Sequence, residues 1–334
     1  MKNRIKYVFF FSFAVLILSA LIALMSGSYA MTIGEVVNTL FGNGSKAQNV
    51  VIFDLRLPRI CVAIFVGIAL STAGCILQGV TKNPLAEPGM IGINAGAALA
   101  VVMLISSRST AYYNAISMST IYLMPLVSFL GAFLVSLLIY FLSYKKGVKP
   151  TRLILVGIGV NSGVNAIITL YQLNMSKGDY NQAMTWISGS LWGSSWVYFK
   201  IVAPVVILLF AIVYYKSKTL DVLALGDELA TGLGISVAKE TRVFLVLAVA
   251  LSAIATSVAG NIAFLGLLGP HIGKRLVGPK HRRLIPIAAL ISSCLILIAD
   301  TASRNLFTPL EIPVGITISV IGVPYFIYLM MKEK

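Results

Sequence analysis

Few side chains in this 334-residue chain could do covalent or proton chemistry: two histidines, three cysteines and eleven carboxylates. His271 and His281 are ten residues apart and have no cysteine or carboxylate at metal-site spacing beside them. Cys61, Cys75 and Cys294 each lie inside an apolar run and read as small core residues. The nearest approach to a phosphate loop, Gly269-Pro-His-Ile-Gly273-Lys274-Arg275, is one residue short between its glycines. It also has Arg where a magnesium-binding hydroxyl belongs, so no nucleotide-hydrolysing site is expected. A carboxylate, Lys or His deep in an apolar run would signal an ion relay. Here Glu87 falls in the loop-like Asn83-Pro-Leu-Ala-Glu-Pro88, and Asp300 falls near a run's end, four residues before Arg304. The polar groups inside the runs are amides and hydroxyls: Ser71, Gln78, Asn94, Asn161, Asn165 and Asn174. Such groups join helix to helix, and a minority can line a wet path for a large solute.

With chemistry excluded, the elements that carry these residues come next. The hydrophobic set makes up 58% of the chain and charged residues 11%, against roughly 25% in a soluble domain; mean hydropathy is +0.92. Charge-free runs cover Tyr7–Met25, Ile60–Thr81, Pro88–Ser107, Ser109–Tyr144, Leu153–Ser176, Ile201–Tyr215, Val243–Gly273, Leu284–Ala299 and Ile312–Met331. A span needs about 20 residues. The fourth run holds one helix, from about Ser117 to Leu142, whereas Val243–Gly273 splits into two at Ala259-Gly260-Asn261. The expectation is an all-α polytopic membrane protein, residues 1–334 forming one domain of ten spans. The first run could be a signal peptide ending at Ser28-Tyr-Ala30, but its length favours an uncleaved helix.

Ten spans put both termini on one side. With that side cytoplasmic, 19 of the 26 Lys and Arg fall in inner segments and 7 in outer ones, as the positive-inside rule asks. The net charge of +15 then reads as loops facing an anionic inner leaflet, not as nucleic-acid binding. Residues Thr32–Phe53 form an outer loop with a short interfacial helix at Ile33–Leu40. A second outer segment, Met175–Phe199, holds Trp186, Trp192 and Trp196, read as interface anchors.

The inner loop at about 220–239 is the most informative. Between Gly226 and Gly234, Asp227 and Glu228 sit where negative charge suits a helix N-terminus, and Leu225, Leu229 and Leu233 recur at four-residue spacing. A helix lying on an anionic leaflet would carry Lys or Arg there. Acidic residues argue for docking to a soluble partner instead.

Along nearly the whole chain the sequence resembles the permease subunit of type II ABC importers for iron–siderophore complexes, haem and cobalamin. The resemblance rests on motifs in order: Arg56-Leu-Pro-Arg59, Gly67–Gly74, Gln78, Asn83–Pro88, Trp186-Ile-Ser-Gly-Ser190, Leu225–Gly234 and Phe264–His271. It continues through His281–Pro286, Ala299-Asp300, Arg304, Glu311–Gly315 and Ile321–Pro324. It implies a ten-helix permease that dimerises with a second copy or a paralogue. Each copy docks an ATPase subunit, which uses the ATP; no cofactor is bound by this chain. A periplasmic or lipid-anchored binding protein delivers the chelate at the cytoplasmic membrane of a bacterium. By the same resemblance Leu225, Gly226, Asp227, Glu228, Ala230, Leu233 and Gly234 belong to the coupling helix. Arg56, Arg59 and Arg304 match a patch that pairs with binding-protein glutamates, for which a planar guanidinium is suited. Asp300, at i,i+4 from Arg304, is the competing internal partner. An inner gate falls around Pro150 and Thr151, where family members can have small hydroxylated residues and Pro150 departs from that pattern. Ala69–Gly74 is echoed by Ala255–Gly260, which fits an inverted repeat of spans two to five and seven to ten. A ferric siderophore is the expected cargo, with haem or cobalamin as the alternative. An ion-coupled secondary transporter would need buried charges that the runs lack, and the acidic loop speaks against a purely structural subunit.

Overall fold

A computed structural model of the chain describes residues 2–108, 118–145, 150–306 and 310–332. Among these residues the regular elements are helices. They are α1 (Lys2–Met25), α2 (Ile33–Leu40), α3 (Lys46–Asn49), α4 (Leu57–Thr81), α5 (Ile93–Arg108), α6 (Met118–Ser143), α7 (Pro150–Leu173) and α8 (Lys177–Ile187). After them come α9 (Trp196–Tyr215), α10 (Ser217–Leu223), α11 (Asp227–Gly232), α12 (Val237–Ala259), α13 (Leu265–Val277), α14 (His281–Asn305) and α15 (Val314–Lys332). Among the described residues seven helices are long and apolar enough to cross a bilayer, and α5 and α15 contain shorter apolar stretches.

The long helices sort by burial. In α4, α12 and α14 the apolar window is 78%, 72% and 67% buried; in α1, α6, α7 and α9 it is 22–28%. The first three form the centre and the others surround it. Apolar side chains all round suit a central membrane helix, where packing rather than water exclusion holds neighbours together. Small residues set the distance of approach. A Cβ on Gly74 of α4 would strike the carbonyl oxygen of Gly266 in α13, and one on Gly96 of α5 would strike that of Gly131 in α6. α7 is different: Ser162, Asn165 and Thr169 are exposed along it, and Gly159 and Gly163 have open space beside them.

Two interruptions face each other. Beyond α4, Lys82 turns left-handed (φ 55°), and a 3-10 turn at Pro88–Ile91 ends on Gly92 (φ 79°). Beyond α12, Gly260 (φ 67°) opens a stretch without regular structure that runs to Phe264 (φ 63°). Glu87 accepts the Phe264 backbone N–H at 3.0 Å. Asn94 Nδ2 donates to Asn261 Oδ1 at 2.6 Å, Thr256 Oγ1 to Asn94 Oδ1 at 3.3 Å, and Asn161 Nδ2 to the Gly89 carbonyl at 3.2 Å. Glu87 and Asn161 thus serve backbone groups of the two interruptions, and Asn94, Thr256 and Asn261 tie the interruptions to each other, the kind of pairing that irregular chain inside a membrane protein requires.

Three boundaries need correction. The expected span Pro88–Ser107 starts late, because Gly92 separates the 3-10 turn from α5. The outer loop expected through Phe53 is already helical from Lys46: α3 runs through the wide turn Val50–Arg56 into α4, so 36 residues are continuously helical. Ser45 starts that rod with a reciprocal cap to Gln48. The second helix of the Val243–Gly273 run, expected to end with Lys274 and Arg275, continues to Val277, four residues short of α14. The break at Ala259–Asn261 falls where expected. Residues 109–117, Lys146, Lys149 and Lys334 lie outside the described residues.

Candidate functional site

At one end of the bundle the C-termini of α4 and α9 meet α10, α11 and the N-termini of α12 and α14. Gly226 (φ 119°) and Gly234 (φ 81°) frame α11, conformations that side-chain-bearing residues rarely adopt. Asp227 and Glu228 occupy its first turn, where the helix dipole favours them. The foothold is small: Ala230 is fully buried, and Leu220 and Leu223 of α10 are buried beneath it. Leu225, Leu229 and Leu233 are 60%, 60% and 63% exposed. The apolar face read from the sequence therefore points away from the protein.

Ion pairs tie this loop to the helices around it. Lys82 Nζ reaches Asp227 at 2.7 Å with both partners well exposed, a pair worth about 0–1 kcal/mol. Lys216 bridges to Glu240 at 2.8 Å and lies 6.0 Å from the Phe244 ring centre. Asp221 of α10 accepts from both the backbone N–H and the ring Nδ1 of His281, each at 2.7 Å. Burial alone would raise the Asp221 carboxyl. The hydrogen bonds from the His281 ring and backbone, with electrostatic attraction from His281 and Lys280, outweigh that and hold it below the ordinary carboxylate range.

At the other end, the three arginines expected to form a docking patch come together around α1, α4 and α14. Arg56 is buried and donates to the carbonyls of Leu24 and Tyr29. Arg59 pairs with buried Asp300 at 2.8 Å and with the more exposed Glu311 at 3.1 Å. Arg304 reaches Asp300 at 3.3 Å and the Ala23 carbonyl at 3.5 Å. One carboxylate thus joins two arginines on different helices, and the side chains of all three arginines are largely withdrawn from solvent. Near the same end, Trp196 Nε1 donates to the Phe53 carbonyl, while Trp192 is 73% exposed. α2 carries Ile33, Val37 and Leu40 exposed, followed by exposed Phe41 at its C-cap, and its N-terminus is closed by the Thr32–Glu35 capping box. Hydrogen bonds from Thr32 hold the Glu35 carboxyl below its ordinary range.

Pro150 begins α7, and Thr151 is exposed in its first turn. His271 is a buried polar residue whose ring lies edge-on to Tyr325, with centroids 5.7 Å apart. Sequence reasoning missed Asp221, Lys82 and the role of His281. A signal was present: Lys280 precedes a 25-residue helix yet gives it no side-chain cap.

The geometry describes a membrane-type helical bundle with an exposed cap at one end and a charge cluster at the other, and comparison with known proteins gives the family. The model of the FecCD transport family matches residues 15–332. The iron(3+)-hydroxamate import system permease protein FhuG of Bacillus subtilis (strain 168) is 46% identical over 99% of this chain and 98% of its own length. The iron-uptake system permease protein FeuC of the same organism is 38% identical, over 98% of each chain. A solved metal-chelate type ABC transporter in an inward-facing conformation superposes with a TM-score of 0.85 at 28% identity, covering 98% of this chain and 99% of that one. The chain belongs to the FecCD transport family.

Proposed function

We propose that this chain is the membrane permease subunit of an ABC importer that carries a ferric siderophore across the cytoplasmic membrane, ferric hydroxamates being the first cargo to test. Ten spans with both termini cytoplasmic, two permeases per complex and an external binding protein complete the reading. The carrying observation is the α11 loop, which presents three exposed leucines and two acidic residues on a small buried foothold. A soluble ATPase subunit offering an apolar groove with a basic rim would fit it. ATP and the loaded binding protein would then each favour a different permease state, which is what differential binding requires for transport.

Asp227→Arg combined with Glu228→Arg tests this reading: substrate-stimulated ATP hydrolysis by the complex should vanish while membrane insertion persists. Hydrolysis at the wild-type rate would discard it. Growth of a deletion strain on a panel of ferric chelates identifies the cargo; haem or cobalamin dependence would redirect it.

Binding-protein docking is proposed at the arginine end, through Arg59. Its second partner, Glu311, is 40% exposed, so an incoming carboxylate can exchange with it. Arg56 and Arg304 contribute by holding α1 and α14 beside Arg59. Thr151, with Pro150 at the helix start, is proposed as the inner gate, on its exposure at the start of α7.

A further inference from the structure

α14 is a 25-residue helix whose N-cap residue provides no side-chain acceptor. The acceptor comes from another element. A single oxygen of Asp221, Oδ1, receives the His281 backbone N–H and faces the ring Nδ1, both at 2.7 Å. A carboxylate at this place gains from the helix dipole and from charge-assisted bonds, which are about twice as strong as neutral ones. The far edge of the same imidazole abuts α4. A Cβ on Gly79 would lie 2.9 Å from His281 Nε2 and 3.0 Å from Leu220 Cδ1, so α4, α10 and α14 converge at one glycine.

α11 itself is poorly anchored to the bundle. Its tie to α4 is the exposed Lys82–Asp227 pair, and Gly226 and Gly234 have open space around them. A force applied to α11 alone would be absorbed in those turns. We propose that the Asp221–His281 bond pair is the link that carries displacement of the ATPase-docking loop into α14, making Asp221 a positioning residue of the transport cycle. This rests on the reading of residues 220–239 as the ATPase-docking loop. Two donors meeting one oxygen pin that oxygen and resist sliding of α10 against α14. The far end of α14 carries Asp300 and Arg304, so a moving α14 delivers the displacement to the Arg59 cluster.

The test uses the complete complex in proteoliposomes, with radio-iron on the chelate that the growth panel selects. The readout is iron transported per ATP hydrolysed. Asp221→Ala should lower that ratio about tenfold, within the range of measured coupling free energies, with the ATPase still co-purifying. His281→Ala should do the same, and the double variant should be no worse than either single one, as expected of residues acting through one bond. Asp221→Glu should recover part of the ratio. Transport and hydrolysis falling in equal proportion would leave the ratio unchanged and overturn the proposal in favour of plain structural support. Should the alanine variants not accumulate, Asp221→Asn and His281→Gln decide the matter, and a wild-type ratio in both overturns it. Failure of the docking reading looks different: the Leu225, Leu229 and Leu233 variants would then retain the ATPase.

Discussion

Truncating Leu225, Leu229 and Leu233 together to alanine probes the cap directly. Burying a leucine completely is worth about 1.5–3 kcal/mol. With 60–63% of each side chain still exposed, seating it in a partner's groove would gain about 1–2 kcal/mol apiece. The three sum to roughly 3–5 kcal/mol, and ordering the interface removes part of that, leaving about 2–4 kcal/mol. The ATPase subunit should therefore bind the triple variant ~30- to 1000-fold more weakly. Leu229→Ala alone should cost about fivefold. Titrating labelled ATPase onto the permease in nanodiscs measures both. Because these side chains face away from the bundle and Ala230 remains, the thermal midpoint of the permease should not move. Binding of the triple variant within about twofold of wild type would show that the leucines meet lipid or nothing.

The charge cluster, the close approaches and the acidic groups give further expectations. Asp300→Ala leaves two arginines without their shared carboxylate and should destabilise the solubilised protein by about 3–5 kcal/mol, read as a lowered unfolding midpoint. Asp300→Asn should cost less, since it keeps an acceptor. Glu311→Gln frees one side of Arg59 and should strengthen binding-protein capture at low salt, measured by pull-down, with the gain fading as salt screens it. Gly74→Ala forces backbone against backbone and should cost more than the usual overpacking penalty of about 1–3 kcal/mol, seen as loss of monodisperse protein. The Asp221 carboxyl is depressed in the folded state, facing His281 and Lys280. Its contribution should be complete above the ordinary carboxylate pKa of about 4 and vanish as pH falls through the lowered value. A pH titration of unfolding with Asp221→Asn as reference reads this, and an Asp221 effect appearing only at alkaline pH would contradict it.

The helical segments were legible because apolar runs bounded by charge and Gly or Pro have few other readings. Even the split at Ala259–Asn261 could be read, from a run too long for one span. Helix starts were less legible. Lys46–Arg56 carries three charges, Lys46, Asp54 and Arg56, which composition alone assigns to a loop, yet a Ser45 cap and inward-facing Ile52 make it helical. The echo between Ala69–Gly74 and Ala255–Gly260 also hid a difference, since the first lies within α4 and the second closes α12. For the site, spacing gave the leucine face and its acidic head. It could not give the partners of Asp221 and Arg59, which lie 60 and 241 residues away in the chain. Arg56 shows the limit most clearly: a sequence places it near a span end, and only the fold reveals that the carbonyls of Leu24 in α1 and of Tyr29 just beyond it already hold its guanidinium.

The open face of α7 bears on the life of the subunit before assembly. Ser162 and Thr169 return their hydroxyls to their own helix, through the carbonyls of Ile158 and Asn165. The Asn165 side chain, exposed on the same helix, would meet hydrocarbon in a solitary copy. If the subunit pairs with a second permease as proposed, an orphan copy would be a poorer resident of the lipid phase than a paired one.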